Sequence, residues 1–199
     1  MNLHIIPRPI YLTRHGESVY NTQDRVGGDC ELSKRGELYA KKLKEFFKKE
    51  QEKEKFKDVK IFTSTLKRAM STANEIDLGV KPLYLKMLDE INTGLCDGMT
   101  YEEIQEIYPF EYNERSFDKL RYRYPRGESY MDVIQRIEPI IFEIERQRVP
   151  VIVVAHNAVV RCLYTYFTQY EIENIPHLEV PLHNVIKLTP ETYHCSEIR

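Results

Sequence analysis

Apolar and polar positions follow two regimes along the chain. Short dense apolar runs stop at polar turns, and longer stretches repeat apolar residues every three or four positions. The first regime predicts strands and the second amphipathic helices. The Ile5-Ile6 run and the segment from Pro9 to Leu12 read as a short strand that ends in Thr13-Arg14-His15-Gly16-Glu17-Ser18. Val59 to Ser64 reads as the next strand and ends in the polar turn Ser64-Thr65-Leu66-Lys67-Arg68, which opens a helix through about Ile76. Pro150 to Ala155 is almost wholly apolar, as expected of a parallel strand covered on both faces, and ends at His156-Asn157. A final strand is expected over Asn184 to Leu188, before the tail.

Helices fill the intervals. Ser33 is a predicted N-cap for a helix carrying Leu38, Leu43, Phe46 and Phe47 on one side. That helix dissolves into the mixed-charge run from Lys48 to Lys55, read as a solvated face or frayed end without function. Thr100 with Glu103 forms a capping-box pattern for a short helix ending near Tyr108-Pro109. Ser129 with Asp132 caps another, along which Ile134, Ile137, Ile141 and Ile144 recur, and Pro139 predicts a kink or break inside it. The helix after His156 carries Val159, Val160, Leu163, Tyr166 and Phe167. From Phe110 to Pro125 basic and aromatic residues interleave without clean periodicity. Glu111, Glu114 and Asp118 argue against a nucleic-acid patch, and a lid over a phosphorylated small molecule explains the segment better. Strand and helix alternation predicts an α/β three-layer sandwich with a mostly parallel central sheet, whose crevice lies at the carboxyl ends of the strands.

Composition narrows the class. The 199 residues suit one domain over 1–199, and 42% hydrophobic with 30% charged residues describes a globular protein. No apolar run approaches the roughly 20 residues needed to span a bilayer, and no signal-peptide pattern opens the chain, so no membrane partner is expected. Cys30, Cys96, Cys162 and Cys195 are scattered, which argues against disulfides and structural zinc and makes a reducing cytoplasm the default. The formal net charge of −2 points away from nucleic acid and acidic membranes, so any anion site is a local concentration of cations.

The candidate chemistry lies at three strand ends: Arg14 and His15, Arg68, and His156. A neutral imidazole can attack phosphorus and carry the phosphoryl group covalently, while guanidinium groups beside it hold the equatorial oxygens. Gly16 is expected to let the backbone approach the phosphate. Phosphoryl transfer of this kind asks for positioning and charge neutralisation, and neither a metal nor a cofactor is expected. Glu90, in a loop between elements, is the chosen acid for the departing alkoxide and the base that later activates water; nearby phosphate charge favours holding its proton until transfer. Glu17 is the rival, better suited to a structural hydrogen bond to an arginine.

Arg14-His15-Gly16-Glu17, with Asn21 and Gly27 downstream, resembles the signature of the histidine phosphatase superfamily, the phosphoglycerate mutase-like enzymes. Further stretches sharpen the likeness: Leu32-Ser33-Lys34-Arg35-Gly36, Phe62-Thr63-Ser64, Asp89-Glu90-Ile91, Met99 to Ile104, the tyrosine-rich Arg121 to Tyr130, and Val180-Pro181-Leu182-His183. Together they resemble the bisphosphatase domain of the 6-phosphofructo-2-kinase/fructose-2,6-bisphosphatase family. The resemblance implies hydrolysis of fructose 2,6-bisphosphate to fructose 6-phosphate and phosphate, a reaction that controls a regulator of glycolysis and gluconeogenesis, with His15 as nucleophile and Glu90 as proton donor and acceptor. It places Arg14, Asn21, Arg68 and His156 around the 2-phosphoryl group, with Gly27 lining the pocket. It gives Tyr101, Arg115, Lys119, Tyr130 and Arg161 to the sugar and its 6-phosphate. Asn157 departs from the family's glutamine, which shortens one sugar-phosphate contact by a methylene and is expected to alter affinity rather than chemistry. The family's kinase half carries a phosphate loop that is absent here. Met1-Asn2-Leu3-His4 resembles the stretch joining the two halves, so an excised domain with a kinase partner in the full-length protein is expected, with a natural free-standing phosphatase as the alternative. A phosphoglycerate mutase, a broad-specificity sugar phosphatase and an inactive regulatory module are the competing readings.

Overall fold

The computed structural model describes residues 8–190 and 195–198. The Ile5-Ile6 run and Met1 to His4 lie outside the described residues. Among these, β1 (Ile10–Arg14), β2 (Lys60–Thr63), β3 (Leu83–Tyr84), β4 (Val151–Ala155), β5 (Val185–Pro190) and β6 (Cys195–Ile198) form one sheet in the order β3-β2-β4-β1-β5-β6. The first four are parallel, and β5 and β6 run antiparallel along one edge. The mostly parallel sheet is as expected; β3 and β6 are too short and too exposed to announce themselves by pattern.

Alternate strand residues serve the two helical layers. Leu12, Phe62, Val151 and Val153 face α5 (Tyr130–Arg146) and α6 (Asn157–Thr168). Tyr11, Ile61, Ile152 and Val154 face α1 (Lys34–Glu54) and α2 (Lys67–Asn74). All five residues of β4 are buried, so the continuous apolar run has its physical reason. Two short helices, α3 (Tyr101–Ile107) and α4 (Pro109–Phe117), stand apart over a small cluster of Cys96, Ile104 and Tyr124.

Caps define several helix starts. Ser33 Oγ accepts from the Gly36 N–H, and reciprocal capping boxes form at Thr100 with Glu103 and at Ser129 with Asp132. The interior departs from expectation in four places. α1 buries Ala40, Leu43, Phe47 and Glu50, leaving Leu38 and Phe46 outside. Tyr166 of α6 likewise points to solvent. Pro139 does not break α5, because Gln135, whose carbonyl loses its donor, sits on the solvent face where water can replace it. And Pro109 to Phe117 is helical with no buried residue, so it left no apolar stripe to be read.

The charged end of α1 is also more than a frayed tail. The Tyr11 hydroxyl, at the centre of the sheet, donates to Glu50 Oε2 at 3.0 Å, and Lys187 Nζ of β5 donates to the same oxygen at 3.1 Å. Lys187 also donates to Glu54 at 2.6 Å. These partners hold the Glu50 carboxyl below the usual carboxylate range against the cost of its burial. Removing the acceptor strands a buried hydroxyl, which costs about 1–3 kcal/mol. Glu50→Ala should therefore lower the unfolding free energy by that amount in urea titrations, whereas exposed Glu52→Ala should stay within about 0.5 kcal/mol of the parent. Equal losses would contradict a structural role for Glu50.

Candidate active site

Strand register aligns the chemistry. β1 pairs with β4 so that Arg14 lies beside Ala155, and β2 pairs with β4 so that Thr63 lies beside Val154. His15 and His156 therefore leave β1 and β4 side by side, and Ser64 follows β2 one step short of them, level with Ala155. The His15 N–H donates to the Ala155 carbonyl at 3.0 Å, and the Ser64 N–H donates to that of Val154 at 3.4 Å.

The turn after β1 is held by close packing. A Cβ on Gly16 would lie 2.5 Å from the Gly36 carbonyl oxygen, so the constraint on Gly16 comes from the start of α1 rather than from a ligand. The Gly16 N–H donates to Thr72 Oγ1 of α2 at 3.0 Å. Gly27, at φ +70°, would place a Cβ 1.9 Å from an oxygen of Asp97, so a side chain is excluded there on both counts.

His15 is 3% exposed. Its Nδ1 donates to the Gly16 carbonyl at 2.6 Å, which leaves the lone pair on Nε2, where Arg68 Nε donates at 3.2 Å. Arg68 is buried and its Nη1 is anchored on the Gly28 carbonyl at 2.7 Å. Burial first, then the Arg68 charge, holds His15 well below its ordinary 6.5. His156 is fully buried with its ring centroid 5.0 Å from that of His15, and burial, Arg68 and His15 hold it well below 6.5 too. Both imidazoles are neutral, as a nucleophile must be.

A cavity of about 360 Å³ opens over these strand ends. Of the candidate catalytic and substrate-binding residues all but His156, which is fully buried beside His15, line it, and neither Gly16 nor Glu17 does. Arg14 anchors Nη1 on the Val180 carbonyl at 2.8 Å. Asn21 accepts from the Ser18 N–H and hydroxyl, which leaves its amide nitrogen for the cavity. Glu90 accepts from three backbone N–H groups, those of Ile91, Asn157 and Ala158, the last two opening α6. Glu17 instead accepts from Ser33 Oγ at 2.6 Å, pairs with exposed Arg35 at 3.6 Å and does not line the cavity. Its hydrogen bond is thus to Ser33 rather than to the arginine expected, with which it makes only the ion pair.

At the lid, Arg115 of α4 donates to the hydroxyls of Tyr101 and Tyr124, each at 2.7 Å, and its guanidinium stacks 4.6 Å from the Tyr101 ring centre. Arg161 donates to Tyr130 at 2.8 Å. Lys119 donates to the Pro176 carbonyl, and burial with the charges of Arg115 and Arg161 draws it down to about 8. Tyr122, Tyr124, Thr93 and Arg25 also line the cavity and were not singled out. The two tyrosines belong to a segment whose composition was the only available signal.

Six cations line the cavity (Arg14, Arg25, Arg68, Arg115, Lys119, Arg161) against one carboxylate, Glu90. Arg25 alone of these pairs with an acid outside it, Glu103 at 2.8 Å. Arg14 Nε and Asn157 Oδ1, on residues that line the cavity, and His156 Nδ1, within the wall, are buried without partners. Among the described residues no group of three or more His, Cys, Asp or Glu side chains is placed to hold a metal ion, and no helix is long and apolar enough to cross a membrane. The cavity thus sets six cations around a buried imidazole whose pKa is lowered.

The model of the histidine phosphatase superfamily, branch 1, matches residues 10–198, and the chain belongs to that family. It is 54% identical over 188 residues to a 6-phosphofructo-2-kinase/fructose-2,6-bisphosphatase of Arabidopsis thaliana, covering 94% of this chain and 25% of that protein. To the human 6-phosphofructo-2-kinase/fructose-2,6-bisphosphatase 4 it is 51% identical over 195 residues, 98% of this chain and 40% of that one. The chain thus spans between a quarter and two fifths of the length of these relatives. Among solved structures, a mycobacterial glucosyl-3-phosphoglycerate phosphatase superposes with a TM-score of 0.82 at 25% identity, over 96% of this chain and 97% of that one. The α-ribazole phosphatase of Shigella flexneri gives 0.81 at 20% identity, over 94% and 93%, and shows the same phosphoglycerate mutase-like fold.

The two depressed histidines have a consequence for stability. In the unfolded chain each takes up a proton below about pH 6.5, and in the folded state each resists it. Stability should therefore fall as pH drops below 6.5, by up to about 1.4 kcal/mol per pH unit for each histidine. Urea midpoints between pH 7.5 and 5.5 should decline less steeply for His15→Gln than for the parent. Identical slopes would mean that His15 is not buried as the neutral imidazole.

Proposed function

We propose that this chain hydrolyses fructose 2,6-bisphosphate to fructose 6-phosphate and inorganic phosphate through a phosphohistidine. The observation that carries the reading is the cavity's charge, six cations to one carboxylate, with Arg14 and Arg68 beside His15 and a second group, Arg115, Lys119 and Arg161, under the lid. Two basic groups suit a substrate with two phosphates. The names of its relatives carry the same activity.

The chemistry follows from the contacts. Nε2 of His15 attacks the 2-phosphorus; Arg68, which donates to that nitrogen at rest, turns to a phosphoryl oxygen together with Arg14, Asn21 and His156. Glu90 gives a proton to the departing sugar O2. It then takes one from water, whose oxygen attacks the phosphohistidine, breaks the N–P bond and leaves phosphate with neutral His15. Tyr101, Arg115, Lys119, Tyr130, Asn157 and Arg161 hold the sugar and its 6-phosphate, and Gly27 leaves room beside the 2-phosphoryl group. Binding at the remote phosphate positions the reacting one. On this reading residues 1–199 act as one phosphatase domain, free of metal and cofactor, in the cytoplasm, with a kinase half as partner in the full-length protein.

Lys119→Ala and Arg115→Ala each remove a charged contact to the remote phosphate, worth about 1.5–3 kcal/mol. The kcat/KM for fructose 2,6-bisphosphate should fall roughly 10- to 100-fold, while that for p-nitrophenyl phosphate changes less than about threefold. Equal losses on both substrates would place no second phosphate under the lid and would favour a broad-specificity phosphatase.

A further inference from the structure

Ser64, at the end of β2, and Asp89, in the loop before Glu90, stand behind the reacting histidines. Asp89 Oδ1 accepts from Ser64 Oγ at 2.7 Å, and Ser64 Oγ lies 2.8 Å from His156 Nε2. Ser64 Oγ also accepts from the Leu66 N–H at 3.0 Å. A hydroxyl has one proton, and a carboxylate accepts only. The Ser64 proton therefore goes to Asp89, and His156 Nε2–H donates to Ser64. That fixes the tautomer: the lone pair sits on Nδ1, the buried atom that has no partner. On the phosphatase reading His156 neighbours the bound phosphoryl group, and with its lone pair on Nδ1 it can donate to a dianion there only after gaining a proton.

We propose that Asp89, acting through the Ser64 hydroxyl, is a positioning residue that stabilises His156 as the imidazolium once a phosphoryl dianion binds, so that Nδ1–H donates to a phosphoryl oxygen. The proton comes from solvent and returns to it when phosphate leaves. The inference rests on the phosphatase reading above. The other charged or titratable groups acting on His156 are Arg14 and His15 from the end of β1, Arg68 from α2 and Arg136 from α5; Glu90, beside Asp89, accepts from the N–H of the next residue, Asn157. Most of these are cations that oppose a charge on His156, and Asp89 is the carboxylate wired to it. At rest the cations and burial dominate and His156 stays neutral. With the dianion in place the balance reverses, and the Asp89 charge sets how far.

Asp89 has a structural task as well, since it accepts from the Thr65 N–H at 2.7 Å and from Thr65 Oγ1. Asp89→Asn separates the two, because the amide oxygen still accepts from Ser64 and Thr65 while the charge is lost. Histidine-15N-labelled full-length protein saturated with inorganic phosphate should show His156 with both ring nitrogens protonated near neutral pH. Its titration midpoint should drop by at least about half a pH unit in Asp89→Asn and likewise in Ser64→Ala. The alkaline limb of kcat should move by the same amount, with the low-pH plateau within about twofold of the parent. Unchanged midpoints and limbs in Asp89→Asn, with only the melting temperature altered, would overturn the relay and leave Asp89 a structural tie. Failure of phosphate to perturb His15 or His156 in the parent would overturn the phosphatase reading itself, and the relay with it.

Discussion

The parallel pairing of β1 with β4 is the constraint on which the site depends. The one-to-one register from Ile10 opposite Val151 to Arg14 opposite Ala155 makes the two strands end level, and His15 and His156 leave them as neighbours. A slip of one residue would send Leu12 and Tyr11 to the wrong helical layers, so the apolar alternation on both faces protects the register. The same pairing extends through β2, which adds Ser64 beside them and starts α2 where Arg68 can reach Nε2 of His15. The geometry of the candidate site is a by-product of core packing.

Electrostatics then turns that geometry into reactivity. Two imidazoles among arginines in a nearly water-free wall remain neutral, and the cations around them have few acids to satisfy them. On the phosphatase reading a bound dianion would offset these charges. Under the lid the same logic recurs on a softer scale: Lys119, lowered to about 8 between Arg115 and Arg161, gains from any second phosphate.

Strand ends and caps were legible in sequence because each has a local signature. The apolar run Val151 to Ala155 and the Ser129 and Asp132 capping box read correctly without tertiary information, whereas β1 runs two residues beyond the expected Leu12, through Thr13 and Arg14. What was not legible depended on distant partners. Glu50 looked like one charge in a solvated run, and only Tyr11 and Lys187, far away in sequence, explain its burial. α4 has no buried face, β6 is short and exposed, and Pro139 is tolerated because its orphaned carbonyl faces water. The constraint on Gly16 was expected from a ligand and comes from Gly36 instead. Within the site, residue types were readable but their wiring was not. Nothing local ties Asp89 to His156, and the route through Ser64 exists only once three strand ends meet.

The most direct test of the central claim is a rapid-quench experiment with fructose 2,6-bisphosphate labelled at the 2-phosphate, mixed with the parent chain and with His15→Ala. The parent should form a protein-bound label that is labile in acid and stable in base, appearing with one equivalent of fructose 6-phosphate and decaying as free phosphate is released. His15→Ala should form none. Label that persists in His15→Ala, or fructose 6-phosphate released by the parent with no phosphoenzyme on any timescale, would contradict phosphoryl transfer to His15.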